Sequence, residues 1–204
     1  GRQPRALAAA VLAYAENIEN PSVLAKAIER ITTKHVSLNI QADQYAIVGE
    51  NLLHSISEVL NVAMDSDLIA AWKSAYTELA EILIAVEQGK YDALKNQSGG
   101  WAGWRNFTIA AIENTDNGKV FIFAAQDDAD AVAAQDDQYI SIRVNVASQN
   151  VLQPQQFTVD LSSNNQYQVT VVTEDKGTEF SVANTLLTNY NVGDVVEISA
   201  PVQK

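Results

Sequence analysis

Residues 95–113 read "KNQSGGWAGWRNFTIAAIE", and this stretch divides the chain in two. Its first six residues are turn formers and make a hinge. Upstream of the hinge, apolar residues recur every three or four positions; downstream they alternate. Leu7, Val11, Leu12, Tyr14, Ala15 and Ile18 form one helix face. A second helix has Asn20 placed as its cap, Pro21 at its first position, and Leu24, Ala27, Ile28 and Ile31 directed inward. A third runs from Asp43 through Ile47, Val48, Leu52, Ile56 and Val59. A fourth starts near Ser66 and carries Leu68, Ile69, Trp72, Tyr76, Leu79, Ile82, Leu83 and Val86. Beyond the hinge, "FTIAAIE", "KVFIFAA", "YISIRVNV", "QFTVDL", "YQVTVVT" and "VVEISA" predict six strands at spacings that suit a barrel or sandwich. "EFSVANTLLTNY", residues 179–190, is the one helical pattern among them. The expected fold class is therefore α+β with two domains: all-α over 1–95, and a six-stranded antiparallel β-barrel with one inserted helix over 96–204.

Composition narrows the chemistry. The chain has 204 residues, 47% of them hydrophobic, which is enough for substantial cores. It has no Cys, so disulfides, thiolate zinc sites and Cys nucleophiles are excluded. With two His, a His-rich metal site is excluded as well. The formal net charge of −12 argues against nucleic acid and against an anionic membrane surface. No apolar run approaches the length of a membrane span and no signal peptide is visible, so the chain reads as soluble and cytoplasmic. Both histidines, His35 and His54, lie in "ITTKHVSLNIQADQYAIVGENLLHSI", residues 31–56. On the residues alone, His35 is either a buried ligand or a surface histidine at a helix end.

"YAENIEN", "KHVSLNI", "QYAIVGENLL", "AAWKSAYTELA", "GGWAGWRNFTI" and "NVGDVVEISAP" resemble, in collinear order, segments of the bacterial flavohaemoglobins. Those proteins join a globin, a flavin-binding barrel and a nicotinamide-binding domain, and convert nitric oxide and oxygen to nitrate. The resemblance implies a partial globin followed by a barrel of the ferredoxin-reductase FAD-binding type. It implies haem b, with His35 as the axial ligand to iron. Tyr45 and Glu87 match the catalytic pair that hydrogen-bonds the proximal imidazole from behind, an arrangement that fixes its tautomer and raises its electron donation. Gln3 falls at the distal glutamine, Leu7 one turn later, Lys34 near a haem propionate, and Val48 beside the haem. His54 stands where the family has a small apolar residue and reads as structural.

Two departures alter what the resemblance implies. "GRQPRAL" falls inside the globin, so the distal Tyr and Phe are not found and a fragment is expected, with weak haem binding and self-association through Leu7, Val11, Ile31 and Val48. The second departure is at the flavin site. The family's Arg-x-Tyr-Ser becomes Gln155, Phe157 and Thr158, which removes a charge-assisted phosphate contact. Asp136 and Asp137 add negative charge, and the Gly-rich phosphate loop becomes Glu179, Phe180, Ser181 and Ala183. Residues 96–204 hold 5 Lys or Arg against 13 Asp or Glu. FAD binding is therefore expected to be weak or absent. Three readings stay open: a nitric oxide dioxygenase acting on O2 and NO with a separate reductase protein, a haem-based gas sensor or oxygen carrier whose barrel is an interaction module, and an inactive apo fragment.

Overall fold

The computed structural model describes residues 2–127, 129–146, 150–163, 165–173 and 181–203. Four helices open the chain: α1 (Arg2–Glu16), α2 (Ala25–Ser37), α3 (Ala42–Leu60) and α4 (Asp67–Asn96). A single 3-10 turn, Pro21–Leu24, precedes α2. Pro21 takes the first position, as the spacing predicts, but Asn20 does not cap. Its side-chain oxygen instead accepts from the Ser22 hydroxyl at 2.6 Å, which pulls it away from the backbone donors. At α3 the N-terminal donors are handled by neighbouring glutamines, with the Gln41 amide donating to Gln44 Oε1 at 2.8 Å. The helix ends at Asn61, which adopts the left-handed conformation with φ 51°.

Beyond the hinge come β1 (Trp104–Thr115), β2 (Gly118–Ala125), β3 (Gln138–Val146), β4 (Val151–Thr158), β5 (Leu161–Ser163) and β6 (Gln166–Val172). Helix α5 (Val182–Asn189) follows, then β7 (Val195–Ser199) and β8 (Val202–Gln203). Five of the sequence-predicted strands are present as read, while "QFTVDL", 156–161, straddles the end of β4 and the start of β5; β5 and β8, at three and two residues, are too short to show a period. The order is β4-β3-β7-β1-β2-β6-β5, with β8 on β3, and every pairing is antiparallel. The link from β4 to β5 joins the two ends of this path. The Val159 amide donates to Gln138 O of β3 at 3.1 Å, and the Asp160 amide donates to Gln168 O of β6 at 2.9 Å.

The chain forms two compact units, Gly1–Thr32 with Ile40–Gly89, and Thr33–Asn39 with Lys90–Lys204. The first has a core of Val11, Tyr14, Tyr45, Leu52, Tyr76, Leu79 and Leu83. Val11 is fully buried there, so it cannot belong to the exposed apolar face expected of it. The core of the second takes alternate residues from its strands, among them Phe107, Ile109, Phe121, Phe123, Ile140, Ile142, Tyr167, Val169 and Ile198, and is closed by Val182 and Leu186 of α5. No helix among the described residues is long and apolar enough to cross a membrane.

Arg105 organises the loop that follows β2. Its guanidinium lies 5.1 Å from the Trp101 ring centroid. It donates to Asp130 O at 2.9 Å and Ala129 O at 2.7 Å, and pairs with both carboxylate oxygens of Asp127. That hydrogen bonding holds the Asp127 carboxyl below its ordinary value. Because the folded value is the lower one, the pair's contribution is complete above the unfolded carboxylate pKa of about 3.9 and is lost as pH falls through the folded value. In an NMR titration, Asp127 is expected to titrate below the ordinary Asp range and to return to it in Arg105→Ala. An unchanged midpoint would contradict the clamp.

Candidate functional site

Helices α3 and α4 bring one carboxylate into the first unit's interior. Glu87 is 2% exposed, and the Tyr45 hydroxyl donates to its Oε1 at 2.6 Å. The sequence separates these residues by 42 positions, so only the packing of α3 on α4 joins them. A buried carboxylate without a donor is costly, and a phenol at this distance makes a strong charge-assisted bond. Tyr45 is itself braced: the Tyr76 hydroxyl donates to its carbonyl oxygen at 2.6 Å. Burial pushes the Tyr76 phenol up from its usual pKa and so keeps it a donor. Gly49 makes room for that ring, because a Cβ on it would lie 2.4 Å from Tyr76 Cε1.

His35 lies on the last turn of α2 and is half-buried, with Lys34 exposed beside it. The turn is well closed. The Leu38 amide donates to Lys34 O and His35 O at 3.2 and 3.1 Å, and Ser37 Oγ donates to Lys34 O at 2.8 Å. Leu7 is half-buried against the first core, and Val48 is 41% exposed on α3. The Gln3 side chain lies outside the described residues. His54 is exposed, in keeping with a role away from any buried site.

The residues at the expected flavin site are placed as follows. Gln155 Oε1 accepts from the Ala183 amide at 3.0 Å, and Ser181 Oγ accepts from the Asn184 amide at 3.1 Å. The first donors of α5 are thus taken by the protein's own side chains. Phe157 is 9% exposed and belongs to the barrel core, while Thr158 is exposed at the end of β4. Asp136 and Asp137 are exposed in the turn before β3. Glu179 and Phe180 lie outside the described residues. The bond from Tyr76 to the Tyr45 backbone, the fit of Gly49 against the Tyr76 ring and the contact of Gln155 with α5 carried no signal in the sequence, since each joins residues far apart along the chain.

The pairing has a measurable consequence. Tyr45→Phe should cost about 1–3 kcal/mol, because it removes a donor from a buried carboxylate. Glu87→Gln keeps an acceptor and should cost less. Urea unfolding of the two variants orders them, and a Tyr45→Phe protein as stable as the parent would show that the bond contributes nothing.

Residues 2–83 match the Globin family. The chain is 41% identical to the flavohemoprotein of Bordetella pertussis and 39% identical to that of Rhizobium meliloti, in each case over 98% of this chain and 51% of the relative. The crystal structure of a flavohemoglobin from Malassezia yamatoensis with bound FAD and heme superposes with a TM-score of 0.83 at 28% identity, covering 98% of this chain and 51% of that one. The chain spans about half the length of the relatives it matches. Residues 2–83 are thus similar to the globins, and the chain as a whole is similar to about half the length of a flavohemoprotein.

Proposed function

We propose that this chain is part of a flavohaemoglobin-type nitric oxide dioxygenase, a cytoplasmic haem protein acting on O2 and NO, with a globin-like segment over 1–95 and a FAD-binding-like barrel over 96–204. The observation that carries the reading is the buried Tyr45–Glu87 hydrogen bond, whose tyrosine lies within the globin-matching residues 2–83 and whose glutamate follows them closely on the same helix as their end. The donor set suits haem. The His35 imidazole at a helix end would supply a nitrogen ligand, and a buried carboxylate with a phenol donor, such as Glu87 with Tyr45, is the kind of acceptor that suits a ligating imidazole. When bound, haem supplies the iron at which O2 and NO react. In this reading His35 would hold that iron. Tyr45 fixes the Glu87 carboxylate, and a carboxylate so held would suit the second-shell role that keeps a ligating imidazole in one tautomer and raises its electron donation. By the same resemblance Lys34 would offer its charge to a haem propionate, and Leu7 and Val48 would face the haem.

The same test goes against FAD. A pyrophosphate needs free backbone donors and a cation, whereas Gln155 and Ser181 hold two of the first donors of α5, the Ala183 and Asn184 amides, and no Arg stands at 155. In the proposed reading tight FAD binding is lost and a separate reductase protein supplies the electrons. The loss of an Arg–phosphate contact alone is worth about 1.5–3 kcal/mol, roughly ten- to a hundredfold in affinity. These same features favour the second reading, a haem-based gas sensor or oxygen carrier whose barrel is an interaction module. Rapid-mixing measurement of nitrate formation from NO and O2 separates the two. The exposed Ile47 and Val48 on α3 support self-association, and a monodisperse monomer in light scattering would remove that element.

Two experiments test the assignment. In haem-loaded protein, either the 204 residues or the chain extended to a full globin, His35→Ala is expected to abolish the five-coordinate ferrous spectrum. Loss of haem in His54→Ala instead would assign the wrong ligand. A titration of the purified chain should detect no tight FAD, with partial recovery in Gln155→Arg combined with Phe157→Tyr and Thr158→Ser. Micromolar or tighter binding by the parent chain would restore the reductase reading.

A further inference from the structure

Neighbouring residues of β4 face opposite ways, as the strand period requires. Gln155 reaches α5, as described above. Gln156 reaches the other way, and its Nε2 donates to Ser37 Oγ at 2.7 Å. Ser37 is fully buried, and its hydroxyl passes the interaction on to Lys34 O at 2.8 Å. This single hydroxyl therefore has both its acceptor and donor capacity used, one by the barrel and one by the last turn of α2. The turn is anchored a second time by Lys90 Nζ, which donates to Thr33 Oγ1 at 3.0 Å. Residues 33–39 accordingly cluster with the barrel rather than with the rest of the helical unit.

A helix terminus left to itself frays, because its last carbonyls have no intrahelical partners. Here the last turn carries His35, and a side chain's direction follows the backbone that bears it. We propose that Gln156 is a positioning residue for His35: by holding the buried Ser37 hydroxyl, it fixes the final turn of α2 and with it the direction of the imidazole. This rests on the reading of His35 as the axial ligand. It gives the barrel a task that needs no flavin, which is to brace the histidine segment. It also makes β4 the element through which any rearrangement at α5, by way of Gln155, reaches the histidine turn.

The test uses the 204-residue chain without added haem. Hydrogen exchange at the Leu38 and Asn39 amides reports closure of the turn, since these donate to Lys34 O, His35 O and Val36 O. Gln156→Ala is expected to speed exchange at both by about fivefold, as loss of one neutral hydrogen bond does, and to move the His35 ring resonances in NMR. Amides of β1, β2 and β6 should exchange as before. Ser37→Ala should give the same two effects, and the double variant should add little to either single one. Unchanged exchange and ring signals in Gln156→Ala would overturn the proposal, and so would uniform acceleration across the barrel. Independent, additive effects of the two variants would overturn it as well. Failure of the haem reading is a separate result: His35→Ala would then leave the haem spectrum intact while the exchange pattern stood.

Discussion

A carboxylate kept at 2% exposure constrains everything around it. Leaving water costs an ionised carboxyl several kcal/mol, and the cost is recovered only with well-aimed donors. In the helical unit the Tyr45 hydroxyl is such a donor, and it is aimed because Tyr76 holds the Tyr45 backbone. Tyr76 in turn fits only because position 49 has no side chain. Four residues on two helices thus depend on one another in sequence, and the crossing of α3 with α4 is fixed by them as much as by Leu52, Leu79 and Leu83. A purely apolar solution would pack as well and be easier to build. That the chain keeps a buried acid here fits a chemical use for it.

The barrel shows the opposite relation between fold and site. Its strand order, closure and apolar interior are intact, with Phe107, Phe123 and Tyr167 at the centre. Two neighbouring polar side chains of β4 are engaged by the protein itself. Gln155 satisfies a backbone donor of α5, and Gln156 satisfies Ser37. Neutral amides suit this work, because they reach and bind backbone or hydroxyl groups without importing charge into a unit that is already acidic. A fold persists through such changes, since its stability comes from the interior, while a ligand site is decided by a few groups at its rim.

Much of the architecture was legible because period is a strong signal. The helices from Arg2 to Asn96 and five of the six long strands were visible as patterns, as was α5 from "SVANTLLTN". Strands β5 and β8 were not, being too short to alternate. Asn20 misled because capping residues also make local side-chain bonds, here with Ser22. Val11 misled because an apolar residue on a helix face looks the same whether neighbouring helices cover it or not. Tyr45 and Glu87 emerged only by resemblance. Nothing in the sequence links Gln156 to Ser37, which lies 119 residues away, or Gly49 to the Tyr76 ring. Such pairs exist only after folding.

The central question is whether the buried acid acts on His35, the proposed iron ligand. The most direct measurement is the Fe–His stretching frequency of the ferrous, haem-loaded protein, compared with that of Glu87→Gln. A carboxylate that accepts from a ligating imidazole raises its basicity and stiffens the bond, so the proposed role of Glu87 predicts a lower frequency in the variant with haem still bound. An identical frequency in the two proteins would mean that Glu87 does not speak to the iron ligand, and the buried pair would then be a structural brace alone.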